Sequence, residues 1–163
     1  MNRTERNLWA SARTLPDLAE LTAQWLEGRI KSQPGYADGW GPDEETLPHV
    51  PVLAAANRAG FLTCNSQSAD GRLEAWVTGF VSDEALARLR VACGWSSLIL
   101  SGRRGREHFG DCHSRLSARA IRLEYPGDCL AEAWLVTIVD PEPGRNDLLW
   151  PALAKFAGLV RSS

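Results

Sequence analysis

Two clusters of polar residues flank one apolar helical pattern, and together their side chains can form a ligand pocket. The first cluster, Asp43–Thr46, contains acidic residues and a threonine, and the second, Thr63–Gln67, contains hydroxyls and amides. The apolar run from Leu47 to Ala59 predicts a helix, and Phe61–Asn65 predicts the strand that follows it. If this helix packs on this strand, both clusters reach the same end of a sheet. A carboxylate beside hydroxyls and amides suits a small polar or cationic ligand.

Each cluster also has a structural explanation that needs no ligand. Acidic residues such as Glu44 and Glu45 stabilise the positive end of a helix that begins after them. Asn65 and Ser66 are residue types that stabilise turns through local hydrogen bonds. The residues alone leave both explanations open, and the pairing of the clusters across one helix favours binding.

A third polar stretch contains His108, Asp111, Cys112 and His113, which are residue types of metal sites and of Cys–His nucleophiles. Structural zinc usually takes its ligands from paired motifs such as C-x-x-C, and the sequence has none. A nucleophilic thiol needs a base that a third group orients. We therefore expect a polar loop here, with no metal ligand and no catalytic residue. The common phosphate-binding and hydrolase motifs are also lacking from the sequence.

The composition predicts a water-soluble chain with one hydrophobic core. The chain has 163 residues, of which 44% are hydrophobic and 23% charged, and its net charge is −2. This charge does not favour nucleic acid or a membrane surface as a partner, and the cluster of Arg103, Arg104 and Arg106 is typical of a solvated loop. The longest mostly apolar run, Ala133–Val139, is too short to cross a bilayer. We therefore expect a cytoplasmic protein in which Cys64, Cys93, Cys112 and Cys129 are reduced thiols.

Helical and strand patterns alternate along the rest of the chain. Helical patterns occupy residues 4–12, the segment after Thr14, the segment after Ser82, and Asp147–Val160. Strand patterns occupy Ala75–Val81, Ser97–Leu100, Ala118–Glu124 and Ala133–Val139. This order predicts an α/β or α+β fold, in which helices flank a mixed β-sheet within a single domain. Residues 1–39 would form an N-terminal helical segment and loop, and residues 40–163 the ligand-binding core.

Local signals refine these elements. Leu8 and Trp9 should face inward from the first helix, Thr14 should cap the second, and Asn146 should cap the last. Residues 101–114 are polar and rich in glycine, and they predict a loop. Apolar periodicity predicts a core of Leu53, Phe61, Val77, Phe80, Leu86, Leu89, Val136, Ile138, Trp150 and Leu153.

The two clusters belong to a longer string that resembles the C-terminal regulatory domain of eukaryotic methylenetetrahydrofolate reductase. In this chain Asp43-Glu-Glu-Thr46 precedes an apolar helix, which leads into Asn57-Arg-x-Gly-Phe-Leu-Thr63-Cys-Asn-Ser-Gln67. The family has an acidic residue with Glu-Thr, and then Asn-Arg-x-Gly-x-Leu-Thr-x-Asn-Ser-Gln-Pro, at the same spacing. The likeness covers about Asp43–Arg90 and returns at about Val139–Leu159. The chain also resembles small free-standing actinobacterial proteins, which adds no function.

The resemblance implies a ligand and its contacts. The family domain binds S-adenosylmethionine or S-adenosylhomocysteine, and its contact residues correspond to Glu45, Thr46, Thr63 and Ser66 of this sequence. Further family contacts are threonines in a region that aligns poorly here, where the polar candidates are Ser97, Ser101, Cys112 and Ser114.

This chain also departs from the family. Ser68 replaces the family's proline, and the long insertion that follows is reduced to residues 69–72. No counterpart of the flavin-binding catalytic barrel is present in the sequence. The resemblance therefore implies a free-standing sensor, or a subunit that regulates a protein partner in trans, rather than the reductase. Two alternatives stay open: an enzyme acting on S-adenosylmethionine, as a methyltransferase or lyase, and an interaction module with a vestigial pocket.

Overall fold

The computed structural model describes residues 1–34, 39–94, 96–104 and 133–160. The α-helices are Arg3–Ser11 (α1), Leu15–Leu26 (α2), Val50–Arg58 (α3), Asp83–Cys93 (α4) and Leu149–Phe156 (α5), and a 3₁₀ helix spans Glu44–His49. The strands are Phe61–Gln67 (β1), Ala75–Val81 (β2), Ile99–Arg104 (β3) and Trp134–Asp140 (β4). None of the helices in these ranges is both long and apolar enough to cross a bilayer.

The sheet has the strand order β1-β2-β4-β3, and each of its pairings is antiparallel. The predicted combination of helices and a sheet in one domain is confirmed, although the described strands include no parallel pair of the kind a mixed sheet contains. The central strands β2 and β4 pair without a break in register from Ala75 with Asp140 to Val81 with Trp134. A hydrogen bond of 2.8 Å joins the hydroxyls of Thr78 and Thr137 across this pair. Strands β1 and β3 are therefore at opposite edges of the sheet.

The core lies between the sheet and its helices, and every residue of the predicted core is buried. Helices α2 and α3 pack on each other and on β1, whereas α4 and α5 pack together and contact β2 and β4. The rings of Phe61 and Phe156 meet edge to face, with their centroids 6.3 Å apart. Apolar periodicity found this core because each of these helices and strands has one face against it.

The N-terminal helices follow most of their predicted signals. The Thr14 side chain accepts a hydrogen bond from the Asp17 amide, and the Asp17 carboxylate accepts one from the Thr14 amide, which makes a capping box. Trp9 is buried and donates from Nε1 to the Ser32 carbonyl at 3.0 Å. The inward placement of Leu8 is wrong, since 40% of this residue is exposed. Consecutive helical residues are about 100° apart around the axis, so anchoring Trp9 inward turns its neighbour outward.

Two predictions in the C-terminal half are wrong. Residues Ser101–Arg104 belong to β3 rather than to a loop, because they pair with β4 from Thr137 to Trp134. The last helix spans only Leu149–Phe156, and Asn146 does not cap it. Asn146 instead exchanges hydrogen bonds with the backbone of Ala69 across the fold. The predicted strand Ala118–Glu124 and the stretch His108–His113 lie outside the described residues.

The basic cluster is likewise part of the folded structure where it is described. The Arg104 guanidinium lies 3.1 Å from the Asp83 carboxylate and 5.7 Å from the centre of the Trp134 ring. Asp83 also accepts a 2.7 Å hydrogen bond from Trp134 Nε1. Arg104 therefore connects the end of β3 to the start of α4, which corrects the expectation of a solvated loop at this position.

Candidate functional site

A half-open cleft lies between α2, the 3₁₀ helix and the edge strand β1. Its lining residues are polar and apolar in similar proportion: Thr22, Trp25, Leu26, Gln33, Pro42, Asp43, Thr46, Leu53, Thr63, Cys64, Asn65 and Ser66. Both polar clusters of the sequence contribute to this lining. The helix between them, α3, packs on β1 and so brings the clusters together.

Four consecutive residues of β1 line the cleft because the strand contains a bulge. Thr63 pairs with Gly79 and Asn65 with Thr78, so Cys64 is the extra residue of the bulge. Side chains alternate between the two faces of a regular strand, and a bulge re-aims them locally. Gly79 allows the close approach of the strands, since a Cβ there would overlap the Leu62 carbonyl and lie 2.8 Å from Thr63 Cα.

A buried asparagine fixes the Thr63 hydroxyl. Asn57 Oδ1 accepts a hydrogen bond from the Thr63 amide at 3.1 Å, and a backbone N–H can only donate. This contact sets the orientation of the Asn57 amide, whose Nδ2 donates to the Leu53 carbonyl and to Thr63 Oγ1 at 2.7 Å. The Thr63 oxygen thus accepts from within the protein. Its own hydroxyl proton is available for a ligand atom in the cleft.

The opposite wall offers hydrogen-bond acceptors. The Thr22 hydroxyl donates to the Leu18 carbonyl within α2 at 2.9 Å, so its oxygen can only accept from a ligand. Gln33, only 9% exposed, also lines the cleft. Its buried Oε1 has no hydrogen-bond partner in the described part of the structure. This wall therefore suits a ligand group that carries N–H or O–H protons.

The charge of the lining also favours a ligand group that carries N–H or O–H protons. Asp43 carries a carboxylate at the lining, and no arginine, lysine or histidine is among the described lining residues. Carboxylate and amide oxygens accept charge-assisted hydrogen bonds from cations, and they repel phosphate and other anions. The cleft is therefore chemically complementary to a cationic or donor-rich group.

The size of the cleft determines how much of a ligand it can enclose. The enclosed space is about 30 Å³, and the free space including the open mouth is about 420 Å³. A single water needs about 10–15 Å³ of space measured as the 30 Å³ is, and this cleft is well below the range of about 300–1,000 Å³ that ligand sites usually span. A small charged group fits inside, while the rest of a nucleoside-sized ligand would lie in the mouth.

Ion pairs fix α2 against α3 behind the cleft. Arg58 near the end of α3 donates to the Glu20 carboxylate at 3.0 Å and to the Glu27 carboxylate at 2.5 and 2.9 Å. The hydrogen bonds from Arg58 hold the pKa of the Glu27 carboxyl below its usual range. These contacts keep the acceptor wall on α2 in register with the α3–β1 wall.

Comparison with known protein families gives one match. Residues 4–111 match a family described as a domain of unknown function, DUF6919. The chain belongs to this DUF6919 family. The match contains every described residue that lines the cleft and ends before β4 and α5. No curated protein matches the chain.

Within the DUF6919 match, the structure brings together Thr46, Thr63 and Ser66 of the predicted contacts, which line the same cleft. The Glu45 side chain is exposed and is not among the lining residues, and its backbone carbonyl accepts a 3.1 Å hydrogen bond from Ser68. Asp43, which is also exposed, is the acidic residue among the described lining residues.

The middle-region candidates lie elsewhere or are not described. Ser101 is on β3, at the opposite edge of the sheet from β1. Ser97 accepts a 2.6 Å hydrogen bond from Arg145 and does not line the cleft. Cys112 and Ser114 lie outside the described residues.

Thr22 and Gln33 line the cleft but were not predicted to do so. Both lie within residues 1–39, which the sequence pattern placed outside the predicted ligand-binding core. Thr22 had a detectable signal, since it follows Leu18 by four residues and so places a hydroxyl on the buried face of α2. Gln33 lies in an irregular segment, and no pattern in the sequence singles it out.

The segment that carries Thr46 is anchored by an aromatic stack. Glu45 and Thr46 lie within the 3₁₀ helix, and no side chain caps this helix or the α3 helix that follows. His49 at its end stacks on Trp150, with the ring centres 3.7 Å apart and the planes inclined by 7°. Burial lowers the pKa of His49, so the stacked ring favours its neutral form.

Metal chemistry finds no support in the described ranges, where no group of three or more His, Cys, Asp or Glu residues could hold a metal ion. Cys64 and Cys93 are buried thiols that are not disulfide-bonded. Burial raises the pKa of the Cys93 thiol to about 11, which keeps it protonated and unreactive at neutral pH.

Proposed function

We propose that the cleft binds S-adenosylmethionine or S-adenosylhomocysteine and that the protein acts as a sensor or as the regulatory subunit of a protein partner. The observation that carries this proposal is the convergence of Thr46, Thr63 and Ser66 on one cleft. These residues come from two separate segments, and the resemblance to the reductase regulatory domain implies all three as ligand contacts.

The chemistry of the lining supports the same ligand. An α-ammonium and a sulfonium are cations, and the lining presents the Asp43 carboxylate and acceptor oxygens without a competing positive charge. The Thr63 hydroxyl has its proton available for a ligand oxygen. A ligand with both kinds of group can therefore use both walls of the cleft.

The lining supports binding rather than catalysis. Its described side chains are hydroxyls, amides, a carboxylate, a buried thiol and apolar groups. A hydroxyl or thiol nucleophile needs a neighbouring base that activates it, such as a histidine within hydrogen-bond reach. The described lining contains no histidine, so none of its hydroxyls and thiols has an imidazole base within the lining.

Titration calorimetry with S-adenosylmethionine and S-adenosylhomocysteine tests the proposal, and two serines provide a matched pair of variants. Ser66 lines the cleft, whereas Ser101 lies on the opposite edge strand. Ser66→Ala should weaken binding about two- to tenfold, as expected for loss of one neutral hydrogen bond of about 0.5–1.5 kcal/mol. Ser101→Ala should bind as the wild type does.

Three results would overturn the proposal in different ways. If the protein binds neither S-adenosylmethionine nor S-adenosylhomocysteine, the proposed ligand is wrong. Conversion of S-adenosylmethionine during incubation, detected by mass spectrometry against a protein-free control, would show an enzyme rather than a sensor. Equal losses in the two serine variants would place the binding site elsewhere.

A further inference from the structure

Gln33 is the least satisfied polar side chain of the cleft. It is 9% exposed, and its Oε1 is buried without a hydrogen-bond partner in the described structure. Buried polar atoms nearly always have a partner, because an unpaired one loses its hydration without compensation. An orphaned oxygen that borders a cleft therefore indicates a donor that arrives with a ligand.

Two other acceptors border the same cleft. Thr22 Oγ1 already donates its proton to the Leu18 carbonyl and offers only lone pairs. The Asp43 carboxylate adds negative charge. The three oxygens come from α2, from the segment that follows it, and from the residue before the 3₁₀ helix. No cation among the described lining residues competes for them.

We propose that Gln33, Thr22 and Asp43 form a subsite for a primary ammonium group, and that this subsite receives the α-ammonium of the ligand. This inference rests on the proposed function. An ammonium carries three N–H donors and a positive charge, which matches two neutral acceptors and one carboxylate. The enclosed space of about 30 Å³ admits such a group, whereas a fused purine ring is too large for it.

The subsite fixes the direction in which the ligand binds. With the ammonium enclosed, the nucleoside end extends into the open mouth of the cleft. The Thr63 hydroxyl on the β1 wall then has its proton available for an oxygen of the same ligand. Recognition would begin with the amino-acid end, which is common to S-adenosylmethionine and S-adenosylhomocysteine.

The test compares Gln33→Met with the wild type by calorimetry on three probes. S-adenosylhomocysteine carries the ammonium and carboxylate, its decarboxylated amine keeps only the ammonium, and 5′-methylthioadenosine has neither. Methionine keeps the length of glutamine but cannot accept a comparable hydrogen bond. The variant should bind the two amines about ten- to a hundredfold more weakly, with unchanged affinity for 5′-methylthioadenosine.

Two further variants separate binding from structure. Gln24→Met makes the same substitution on α2 outside the cleft lining. It removes the 3.0 Å hydrogen bond to Glu20 but leaves the Arg58 contacts in place, so it should leave all three affinities unchanged. Gln33→Glu restores an acceptor and adds charge, so it should bind the amines at least as tightly as the wild type. The melting temperature of ligand-free Gln33→Met should not fall, because no protein contact of Oε1 is lost.

Three other outcomes would contradict the proposed ammonium subsite. Equal weakening of all three probes would show that Gln33 shapes the cleft without receiving the ammonium. Unchanged amine binding in Gln33→Met would overturn the subsite and leave the proposed function standing. Failure of the wild-type protein to bind any probe would overturn both.

Discussion

Two polar regions of this molecule differ in how well their buried groups are satisfied. In the first, which we call the C-terminal cluster, Asp140, Arg145 and Asn146 lie beside the end of β4. Asp140 is fully buried and accepts hydrogen bonds from Arg145 at 2.6, 2.8 and 2.9 Å. In the second, the cleft, Gln33 Oε1 is buried without a partner within the described ranges.

The C-terminal cluster is closed on itself. The Arg145 guanidinium also contacts Ser97 and Glu142, and its hydrogen bonds to Asp140 raise the pKa of Arg145. Asn146 exchanges hydrogen bonds with the Ala69 backbone and accepts one from Trp150 Nε1 at 3.1 Å. A cluster whose members satisfy one another fixes a loop against the fold and needs nothing from outside.

The contrast teaches how to distinguish a structural polar group from a binding one. Charge and burial alone would favour Asp140 as a functional residue, since a fully buried carboxylate is rare. Its partners show that its role is structural. Gln33 has no charge, but its buried acceptor is unused and the residue lines a cleft, so a ligand that enters the cleft can supply the missing donor.

The largest effect on stability should come from truncation of Trp150, which contacts Asn146 of the C-terminal cluster. This residue is 6% exposed, stacks on His49 and donates to Asn146. Trp150→Ala should lower the free energy of unfolding by about 3–5 kcal/mol, as for other buried aromatic truncations. Denaturant unfolding measures the loss.

Trp150→Phe is a milder truncation, because it keeps one aromatic ring and removes the second ring together with the hydrogen bond to Asn146. It should cost less than Trp150→Ala. A loss below about 1 kcal/mol in Trp150→Ala would contradict the placement of Trp150 in the core, since truncations of buried aromatic residues cost about 3–5 kcal/mol.

The next effect concerns the two candidate carboxylates at the cleft. The resemblance selects Glu45, whereas the geometry places Asp43 at the lining; both residues are exposed, and only Asp43 lines the cleft. A charge-assisted hydrogen bond contributes about 1.5–3 kcal/mol, so Asp43→Asn should weaken binding of S-adenosylmethionine about ten- to a hundredfold. Glu45→Gln should change the affinity by less than about threefold, as expected for an exposed charge.

Calorimetry and thermal unfolding on both variants decide between the two carboxylates. The reverse order, with Glu45→Gln the weaker binder, would show that the ligand draws the Glu45 side chain to the cleft and would favour the resemblance over the ligand-free geometry. If both variants bind the ligand with wild-type affinity, neither carboxylate contributes to binding.

The sequence predicted what depends on local pattern. Strand β2 has the predicted limits Ala75–Val81, the helix after Thr14 has its predicted cap, and the predicted core is buried. Alternation, helical periodicity and capping are all properties of short segments, and the described fold preserves them. The convergence of Thr46 with Thr63 and Ser66 also followed from two segments joined by one short helix.

Features set by tertiary structure were not predictable. The bulge at Cys64 arises from pairing with β2, and nothing in the Phe61–Gln67 sequence requires it. The position of Ser101 at the far edge depends on the strand order, which a list of strands does not specify. Gln33 became a candidate only when its burial and its missing partner were known together.

The smallest effect should be a pH dependence of stability that originates at the contact between the two regions. His49 ends the 3₁₀ helix of the cleft and stacks on Trp150, and burial lowers its pKa below the ordinary value of 6.5. The unfolded chain therefore binds a proton at this histidine more readily than the folded chain does. By linkage, this contribution is fully present above pH about 6.5 and is lost as the pH falls through the lowered pKa of the folded state.

His49→Phe isolates this contribution, because phenylalanine keeps an aromatic ring against Trp150 and cannot bind a proton. Between pH about 7 and 5 the wild-type protein should lose more stability than the variant, measured by urea unfolding at each pH. A steeper loss in the variant would mean that the protonated imidazole is stabilised by its contact with the Trp150 ring, as a cation over an aromatic face can be. In that case the stack would favour the charged histidine, and the 3₁₀ helix that carries Thr46 would be held more firmly at acid pH.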